Sequence, residues 1–359
     1  MKEYSTLSVT GLIEEAENTE ERGELTNLSL NENPWGSSPK ATKAIRRELA
    51  MIHRYPRSSC LELRRILGGR FGFDEDMIVF SNGADNILMM IAQAFLDFGD
   101  EVIMAKPTFA KYRTSAMVAN GIPIEIPLKE YIHDLEKMAM AIGPKTKIIM
   151  ICNPNNPTGT IVARKELEKF FASLPDNIIV VLDEVYSDFV ESRDFLDGIE
   201  LIRQGKNVIS VRSFSKIYGL AGIRIGYALG RQELIAALNG VREVFPVSRL
   251  AEAAARAALD DVAFKDKVLK GTKRGREKLA KAFQKMSLCC LPSHTNFVFV
   301  DLGIDAEKVC RLLLDKGIMI YPGNVWGTPT WVRITIGTSW ENEKVIKALS
   351  EVLSSRKVV

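Results

Sequence analysis

The sequence predicts an α/β protein that has a large domain, built on a mainly parallel sheet of the seven-stranded type sandwiched by helices, and a smaller α+β domain. From about residue 40 to 240, short apolar strands bounded by Gly, Pro or Asn alternate with segments of helical period, a pattern typical of such a sheet. Further along, two helices precede strands that alternate with helices. The 359 residues also exceed the roughly 250–300 residues at which single cores stop growing.

The strands of the large domain can be read in order along the chain. They are predicted at "MIVFSNG", "EVIMAKP", "IPIEIP", "TKIIMICNP", "NIIVVLDEV", "NVISVRSFS" and "YALG". The helices between them include "ADNILMMIAQAFL", "TFAKYRTSAMVANG" and "RKELEKFFASL". Ligands of such sheets bind beyond the carboxyl ends of the strands, so the residues that follow each strand are candidates for a site.

The smaller domain is expected over residues 246–359, after a large domain over residues 39–245. An Ala-rich helix, "RLAEAAARAALDD", is followed by a long helix that runs to about Gln284. Three strands, "NFVFVDL", "IMIYP" and "WVRITIG", then alternate with two helices. Residues 1–38 are expected to form an arm that belongs to this smaller domain.

Composition argues against several classes of protein. The net charge is +3, from 48 Lys and Arg against 45 Asp and Glu, without a basic stripe that would bind nucleic acid. There is no apolar core of a signal peptide and no run near the ~20 residues of a membrane span, so a cytoplasmic location is expected. Five cysteines without a CxxC pair argue against disulfides, and Cys289 and Cys290 are expected to be buried thiols. Three widely spaced histidines offer little to a metal, and no metal site is expected.

Residues that can bind a ligand follow the ends of five predicted strands. They are Gly83, Ala84 and Asp85 in "VFSNGADN", Phe109 in "AKPTFAKY", Asn156 in "ICNPNNPTG", Asp183 and Tyr186 in "VVLDEVYSDF", and Ser213, Ser215 and Lys216 in "SFSK". One group of these residues suits a phosphate. The helix that starts at Gly83 and Ala84 offers free backbone N–H groups and a positive dipole end. Two serine hydroxyls and Arg224 add hydrogen bonds and charge.

A second group suits a heteroaromatic ring. Asp183, a carboxylate at the end of a buried strand, can keep a proton on a ring nitrogen. Tyr186 and Asn156 can hydrogen-bond a phenolic oxygen, and Phe109 can stack on the ring face. Lys216, if it loses its proton, can bond covalently to an aldehyde. Pyridoxal 5′-phosphate is the ligand that fits both groups of residues.

The chain resembles the fold-type I pyridoxal-phosphate aminotransferases of class I/II, and most of all the histidinol-phosphate aminotransferases. The motifs "NPNNPTG", "DEVYSDF" and "SFSKIYGLAGIRIGY" carry the resemblance to the group. "LSLNENPWGSSP" is similar to the family's amino-terminal substrate loop, "HRYP" to its partner-subunit tyrosine, and "PSHTNFVFV" and "WVRITIGTSWENEKVIKAL" to its small domain. The resemblance implies the aspartate aminotransferase-like fold, PLP fold type I.

The resemblance also implies roles for individual residues. Lys216 carries the cofactor and moves a proton, Asp183 pairs with the ring nitrogen, and Tyr186 faces the ring oxygen with Asn156. Tyr55 reaches the phosphate of the other subunit, so a homodimer is expected to be part of the site. The residues implied to hold the phosphate within one subunit are Ala84, Asp85, Ser213, Ser215 and Arg224.

The implied reaction is transamination between histidinol phosphate, or a related amino acid, and a 2-oxo acid such as 2-oxoglutarate, as in histidine biosynthesis. Arg333 is expected to grip the substrate carboxylate in a bidentate pair, beside Asn156. Two positions depart from the histidinol-phosphate pattern: Trp35 stands where a tyrosine is common, and Tyr321 has no second arginine near it. Trp35 and Trp326 are instead expected to make the pocket more apolar and aromatic. An aminotransferase of aromatic or other unphosphorylated amino acids is therefore the alternative, while threonine-phosphate decarboxylases and C–S lyases share the same fold and cofactor.

Overall fold

The computed structural model describes residues 25–355 of the chain. These residues divide into two compact units. The large unit contains residues 36–156 and 160–267, and the small unit contains residues 25–35, 157–159 and 268–355.

The described residues form strands and α-helices in the following order along the chain. The strands are β1 (Thr26–Asn27), β2 (Ile78–Ser81), β3 (Glu101–Lys106), β4 (Ile122–Pro127), β5 (Thr146–Cys152), β6 (Ile179–Asp183), β7 (Val208–Ser213), β8 (Gly226–Gly230), β9 (Cys289–Cys290), β10 (Phe297–Asp301), β11 (Ile318–Met319), β12 (Tyr321–Pro322) and β13 (Trp331–Thr335). The helices are α1 (Pro39–Glu48), α2 (Leu61–Phe71), α3 (Ala84–Phe95), α4 (Lys111–Val118), α5 (Leu135–Met140), α6 (Arg164–Ser173), α7 (Gly198–Arg203), α8 (Gln232–Val241), α9 (Arg249–Leu259), α10 (Val262–Lys285), α11 (Ala306–Leu314) and α12 (Ser339–Ser354).

A seven-stranded sheet forms the centre of the large unit, in the order β2-β8-β7-β6-β5-β3-β4. The neighbours from β4 to β7 pair in parallel, and β8 is antiparallel to both β7 and β2. The predicted mainly parallel seven-stranded sheet is therefore confirmed. Because β5, β6 and β7 run in the same direction, their carboxyl ends meet at one edge, where Cys152 lies opposite Asp183 and Asp183 opposite Val211.

Two hydrophobic cores cover the two faces of this sheet, since alternate side chains of a strand point to opposite faces. Along β5, Ile149 and Ile151 belong to the core on one face, and Ile148, Met150 and Cys152 belong to the core on the other. The first core is completed by residues of α1, α2, α5, α6, α7 and α9, and the second by residues of α3, α4 and α8. The sheet is thus sandwiched by helices, as predicted.

A buried charged cluster lies directly after β6. Glu184 accepts hydrogen bonds from the Gly198 backbone N–H at 2.8 Å and from Arg212 at 3.1 Å, and its Oε2 also accepts from the Ser210 hydroxyl. Burial raises the pKa of Glu184 to about 7, against the lowering effect of the Arg212 charge. Arg212 also donates to Asp197 at 2.6 Å. The cluster ties α7 to β6 and β7, and so fixes the strand end that carries Asp183.

The division between the units falls after Lys267, although the sequence pattern placed the domain boundary at 246. The difference arises because α9 buries its alanine-rich face in the large unit, where Ala251, Ala254 and Ala255 join the core that also contains Ala41 of α1. The Ser248 hydroxyl caps the start of α9 by accepting from Ala251 N–H at 3.1 Å. The sequence after residue 246 predicts the start of a helix, but it does not show which of the two units that helix packs against.

The small unit contains a four-stranded sheet in the order β12-β13-β10-β9, with antiparallel neighbours, and a separate parallel pair of β1 and β11. The prediction of one strand at "IMIYP" was wrong, because β11 and β12 flank Ile320 and belong to different sheets. Ile320 is buried in the core of the small unit. The partner of β11 is Thr26–Asn27, which lies almost 300 residues away along the chain and leaves no local signal.

The five cysteines are free thiols. Cys60, Cys152 and Cys310 are buried, but the prediction of a buried thiol was wrong for Cys289, which is exposed. Cys289 lies on β9 at the edge of its sheet, where one side of the strand faces water. Within residues 25–355, no helix is long and apolar enough to span a membrane, and no group of His, Cys, Asp and Glu is arranged to hold a metal ion.

Candidate active site

Asp183 is the last residue of β6 and is only 4% exposed. Its Oδ2 accepts a hydrogen bond from the Tyr112 hydroxyl at 2.8 Å, and its Oδ1 accepts from the Val185 backbone N–H at 3.2 Å. Burial raises the pKa of Asp183 to about 6, while these two hydrogen bonds and the charge of Lys216 lower it. The carboxyl group is therefore a buried acid whose charge depends on the polar groups that surround it.

Tyr112 was missed by sequence reasoning. It lies on α4, it is fully buried, and its ring meets the edge of Phe109 with centroids 5.7 Å apart and planes at 85°. The sequence contains a signal that could have found it: Tyr112 comes three residues after Phe109, one helical turn along, at the carboxyl end of β3. Phe109 itself is half-buried against the core that contains Tyr112.

The loop after β7 carries Ser213, Ser215 and Lys216. The Ser213 hydroxyl donates to the Ser215 hydroxyl at 2.9 Å and accepts from the Ser215 backbone N–H at 3.0 Å. Lys216 is half-buried, and its carbonyl accepts from the Gly219 N–H at 3.2 Å. Gly219 has a φ of +65°, and a Cβ there would lie 2.1 Å from the Gly36 carbonyl oxygen. The tight turn that follows Lys216 therefore requires glycine.

The start of α3 lies beside Arg224. Gly83 precedes α3 with a φ of +81°, and no side chain caps the first turn of the helix. A Cβ on Gly83 would lie 2.5 Å from Arg224 Nη2, and the same Nη2 is 3.4 Å from Asp85 Oδ2. A Cβ on Gly226 would lie 2.5 Å from the Ala84 backbone nitrogen. The glycines thus allow the guanidinium and strand β8 to approach the start of α3 closely, and the N–H groups and positive charge gathered there suit an anion.

Asn156 and Tyr186 are both buried, one in the loop after β5 and the other in the loop after β6. The loop after β5 is held by hydrogen bonds of its asparagines: Asn155 Oδ1 accepts from the Thr108 hydroxyl at 2.8 Å, and Asn153 Oδ1 accepts from the Val162 N–H at 3.0 Å. Because β5 and β6 are adjacent and parallel, these two loops lie at the same edge of the sheet.

Tyr55 lies on the surface of the large unit. It is 79% exposed, and its ring stacks on Phe245 with centroids 4.6 Å apart and an interplanar angle of 14°. A groove of about 550 Å³ next to it is lined by Ile52, His53 and Arg249, among others. Among the predicted cofactor residues in the large unit, Tyr55 has a surface position that a second molecule can reach.

Arg333 lies on β13 in the small unit and is 6% exposed. Its Nη2 donates to the Ser29 carbonyl at 2.5 Å. Three aromatic rings surround the guanidinium, with its carbon 4.9 Å from the centroid of Tyr321, 5.2 Å from that of Trp326 and 5.5 Å from that of Phe297. These cation–π contacts hold the guanidinium plane in one orientation.

Trp35 also lies in the small unit, against the glycine side of α10. A Cβ on Gly271 would lie 2.3 Å from the Trp35 ring, so the glycine makes room for the indole. A pocket of about 230 Å³ is lined by Trp35, Arg274, Lys278 and Asn342, among others. The structure therefore brings the predicted residues of the large unit, apart from Tyr55, to one edge of its sheet, and places Arg333 beside Tyr321 within the small unit.

Comparison with known proteins gives consistent results. The family model of aminotransferase class I and II matches residues 23–349. The histidinol-phosphate aminotransferase of Caldicellulosiruptor saccharolyticus is 44% identical over 91% of this chain and 91% of its own. The crystal structure of histidinol-phosphate aminotransferase from Sinorhizobium meliloti in complex with pyridoxal-5′-phosphate superposes with a TM-score of 0.88, at 30% identity over 97% of this chain and 98% of its own. A double mutant of aspartate aminotransferase from Thermus thermophilus has a TM-score of 0.85, at 25% identity over 96% of both chains.

Proposed function

The chain belongs to the class I and II aminotransferases, and from that premise we propose that it transfers an amino group between histidinol phosphate and a 2-oxo acid such as 2-oxoglutarate, a step of histidine biosynthesis. The observation that carries this proposal is the buried Asp183 at the edge of the sheet, whose charge interacts with that of Lys216 from the next strand. The curated relatives are named histidinol-phosphate aminotransferases and match most of the chain, which supports histidinol phosphate as the substrate.

Pyridoxal phosphate is the cofactor we propose, because the residues of the large unit fit its two charged ends. Its phosphate suits the start of α3, which no side chain caps and where Arg224 lies close by, with Ser213 and Ser215 as further donors. Its ring nitrogen fits Asp183, whose carboxyl is the buried acid of the site. When bound, this cofactor withdraws electrons from the substrate carbon that loses a proton.

The side chains of the chain then have separate tasks. Lys216 Nζ would hold the cofactor at its aldehyde, and the free amine would take the proton from the substrate Cα as a general base. Asp183 keeps a proton on the ring nitrogen. Tyr186 and Asn156 hydrogen-bond the ring oxygen, and Phe109 packs on the ring face.

Arg333 is proposed to bind the anionic group of either substrate, the phosphate of one or the carboxylate of the other, in a bidentate pair. The three rings around its guanidinium favour a second candidate function, the transamination of aromatic amino acids. An arginine next to tyrosine and tryptophan rings suits a substrate with a carboxylate and an aromatic side chain equally well.

Half-reaction rates distinguish the two candidates. Purified enzyme with bound cofactor is mixed rapidly with histidinol phosphate, phenylalanine or glutamate, and the change in the visible absorbance of the cofactor is followed. We expect histidinol phosphate to react with a kcat/KM at least about tenfold above that of phenylalanine, since a phosphate carries more negative charge than a carboxylate and therefore forms stronger charge-assisted hydrogen bonds with Arg333. A higher kcat/KM for phenylalanine would select the second candidate, and no reaction with any of the three would overturn transamination itself.

A homodimer with shared sites is also proposed, on the strength of an exposed apolar surface around Tyr55. We call this surface the Tyr55 patch; its residues are Leu49, Met51, Ile52, Tyr55, Val244 and Phe245. Apolar side chains grouped in this way are typical of an interface. The occupant we propose is a second copy of the chain, with Tyr55 reaching the partner's cofactor phosphate.

The free thiols fit a reducing compartment, and we propose the cytoplasm as the location of the protein.

Charged substitutions in the Tyr55 patch are expected to separate the subunits. The double variant Ile52→Glu, Val244→Glu buries two uncompensated charges at the proposed interface, which weakens the dimer by at least about a hundredfold in dissociation constant. Sedimentation velocity measures the change. Phe98→Glu is the matched control, because Phe98 is 91% exposed in the same unit but lies outside the patch. A wild-type chain that sediments as a monomer at micromolar concentration would contradict the proposal.

A further inference from the structure

We propose that Tyr112 is a positioning residue for Asp183: its buried hydroxyl orients the carboxylate and holds it in the charged form that the cofactor ring needs. This inference rests on the proposed cofactor. It concerns a side chain that carries none of the roles assigned above and that contacts the acid rather than the ring nitrogen.

The geometry leaves the Tyr112 hydroxyl little freedom. The ring is fully buried, its backbone N–H donates to the Phe109 carbonyl at 3.2 Å, and its own carbonyl accepts from the Ser115 hydroxyl at 3.0 Å. The edge contact with Phe109 fixes the plane of the ring. The hydroxyl therefore meets Asp183 Oδ2 from a fixed direction, while the Val185 N–H meets Oδ1.

The electrostatics of the site give this hydrogen bond its importance. Burial is the largest influence on Asp183 and raises its pKa, and the nearby Asp85 on α3 raises it further. Three groups act in the opposite direction: the Tyr112 hydroxyl, the Val185 N–H and the charge of Lys216. A further titratable neighbour is the Cys152 thiol on β5, whose pKa burial raises far above its ordinary value, so it stays neutral. A hydrogen bond donated to a carboxylate favours the charged form, so its loss raises the pKa.

Tyr112 can donate at every working pH. Burial and the charge of Asp183 raise the pKa of its hydroxyl well above the ordinary value. The hydroxyl therefore keeps its proton, and Asp183 is the acceptor. The lysine, by contrast, changes its charge and its bonding when the cofactor binds. Tyr112 is thus a neutral side-chain donor to the acid in every state of the site, alongside the Val185 backbone N–H.

The test is Tyr112→Phe, which removes one oxygen and keeps the buried ring. Cofactor is titrated into the apoprotein, and its dissociation constant is measured from the quenching of tryptophan fluorescence across a range of pH. We expect binding at pH 7 to weaken by about tenfold to a hundredfold, the usual value of a hydrogen bond to a charged group. The pH below which binding weakens is expected to rise by about one to two units. Tyr227→Phe is the matched control, since it removes another buried hydroxyl of the large unit, and we expect its dissociation constant to stay within about twofold of wild type.

A double-mutant cycle separates positioning from packing. If Tyr112 acts through Asp183, adding Tyr112→Phe to Asp183→Asn changes the cofactor affinity by less than about twofold, because the charge that the hydroxyl stabilises is already gone. An effect of the same size in both backgrounds would show a packing role and overturn the inference. Wild-type affinity and pH dependence in Tyr112→Phe would overturn the inference too, while leaving the proposed function standing. A wild-type chain that does not bind the cofactor would overturn both.

Discussion

Replacing Lys216 with alanine is expected to lower transamination by at least about 10⁴-fold while the protein still binds cofactor. Two contributions are lost together, the covalent bond to the cofactor and the base that takes the substrate proton. The phosphate-binding residues are unchanged, because the start of α3 and Arg224 do not depend on the lysine side chain for their contacts. Steady-state rates with glutamate and 2-oxo acids measure the first effect, and fluorescence titration of the apoprotein measures the second.

Lys216→Arg distinguishes charge from proton transfer. Arginine keeps a positive charge next to Asp183 but does not lose its proton in proteins, so it is expected to be as inactive as alanine. Lys169→Ala is the control, because Lys169 is an exposed lysine on α6 in the same unit. We expect that control to keep full activity. If Lys216→Ala retained more than about a tenth of the wild-type rate, the assignment of the base would be wrong.

The sequence predicted the large unit well because each of its strands carries its own signal. A run such as "IIVVLD" is apolar, short and bounded by turn residues, so both its type and its end can be read locally. Since parallel strands end at one edge, reading the residue after each strand also gave the candidate site. Asp183, Lys216 and Gly83 are candidates that the strand ends alone predict.

Features that depend on residues far apart along the chain could not be predicted from local sequence pattern. Ile320 separates two strands of different sheets because a segment near residue 26 pairs with only one of them. Cys289 is exposed because β9 lies at the edge of its sheet, and apolar pattern does not tell an edge strand from a central one. The contact of Tyr112 with Asp183 joins residues 71 positions apart, one on a helix and one on a strand. The position of Tyr112 on its helix is like that of any core residue, so the sequence alone does not indicate that its hydroxyl belongs to the site. Its acceptor, Asp183, indicates that role.

The second large effect is expected at Asp183. Asp183→Asn keeps the shape of the side chain but removes the charge that holds a proton on the ring nitrogen. We expect kcat to fall by about 10²- to 10⁴-fold, the range that proton transfer and positioned charge contribute in enzymes. Cofactor affinity falls as well, and it loses part of its pH dependence. In the wild type, the pKa of Asp183 is about 6 because burial raises it, so cofactor binding weakens as the pH falls below that value and the carboxylate takes up a proton.

Glu184→Gln is the control that shows whether the effect on cofactor binding is specific to Asp183. Glu184 is the next residue along the chain, it is equally buried, and it too is a carboxyl with a raised pKa, but it contacts Arg212, Ser210 and Gly198. Its loss is expected to lower the stability of the large unit, measured by denaturant unfolding, and to leave the pH dependence of cofactor binding as in the wild type. The cofactor has titrating groups of its own, and these contribute equally to the binding curves of Asp183→Asn and of the wild type. The difference between those two curves therefore reports the titration of the Asp183 carboxyl alone. If Asp183→Asn kept the same weakening below pH 6, another group would have to carry the charge, and the buried acid at the end of β6 would be a structural residue.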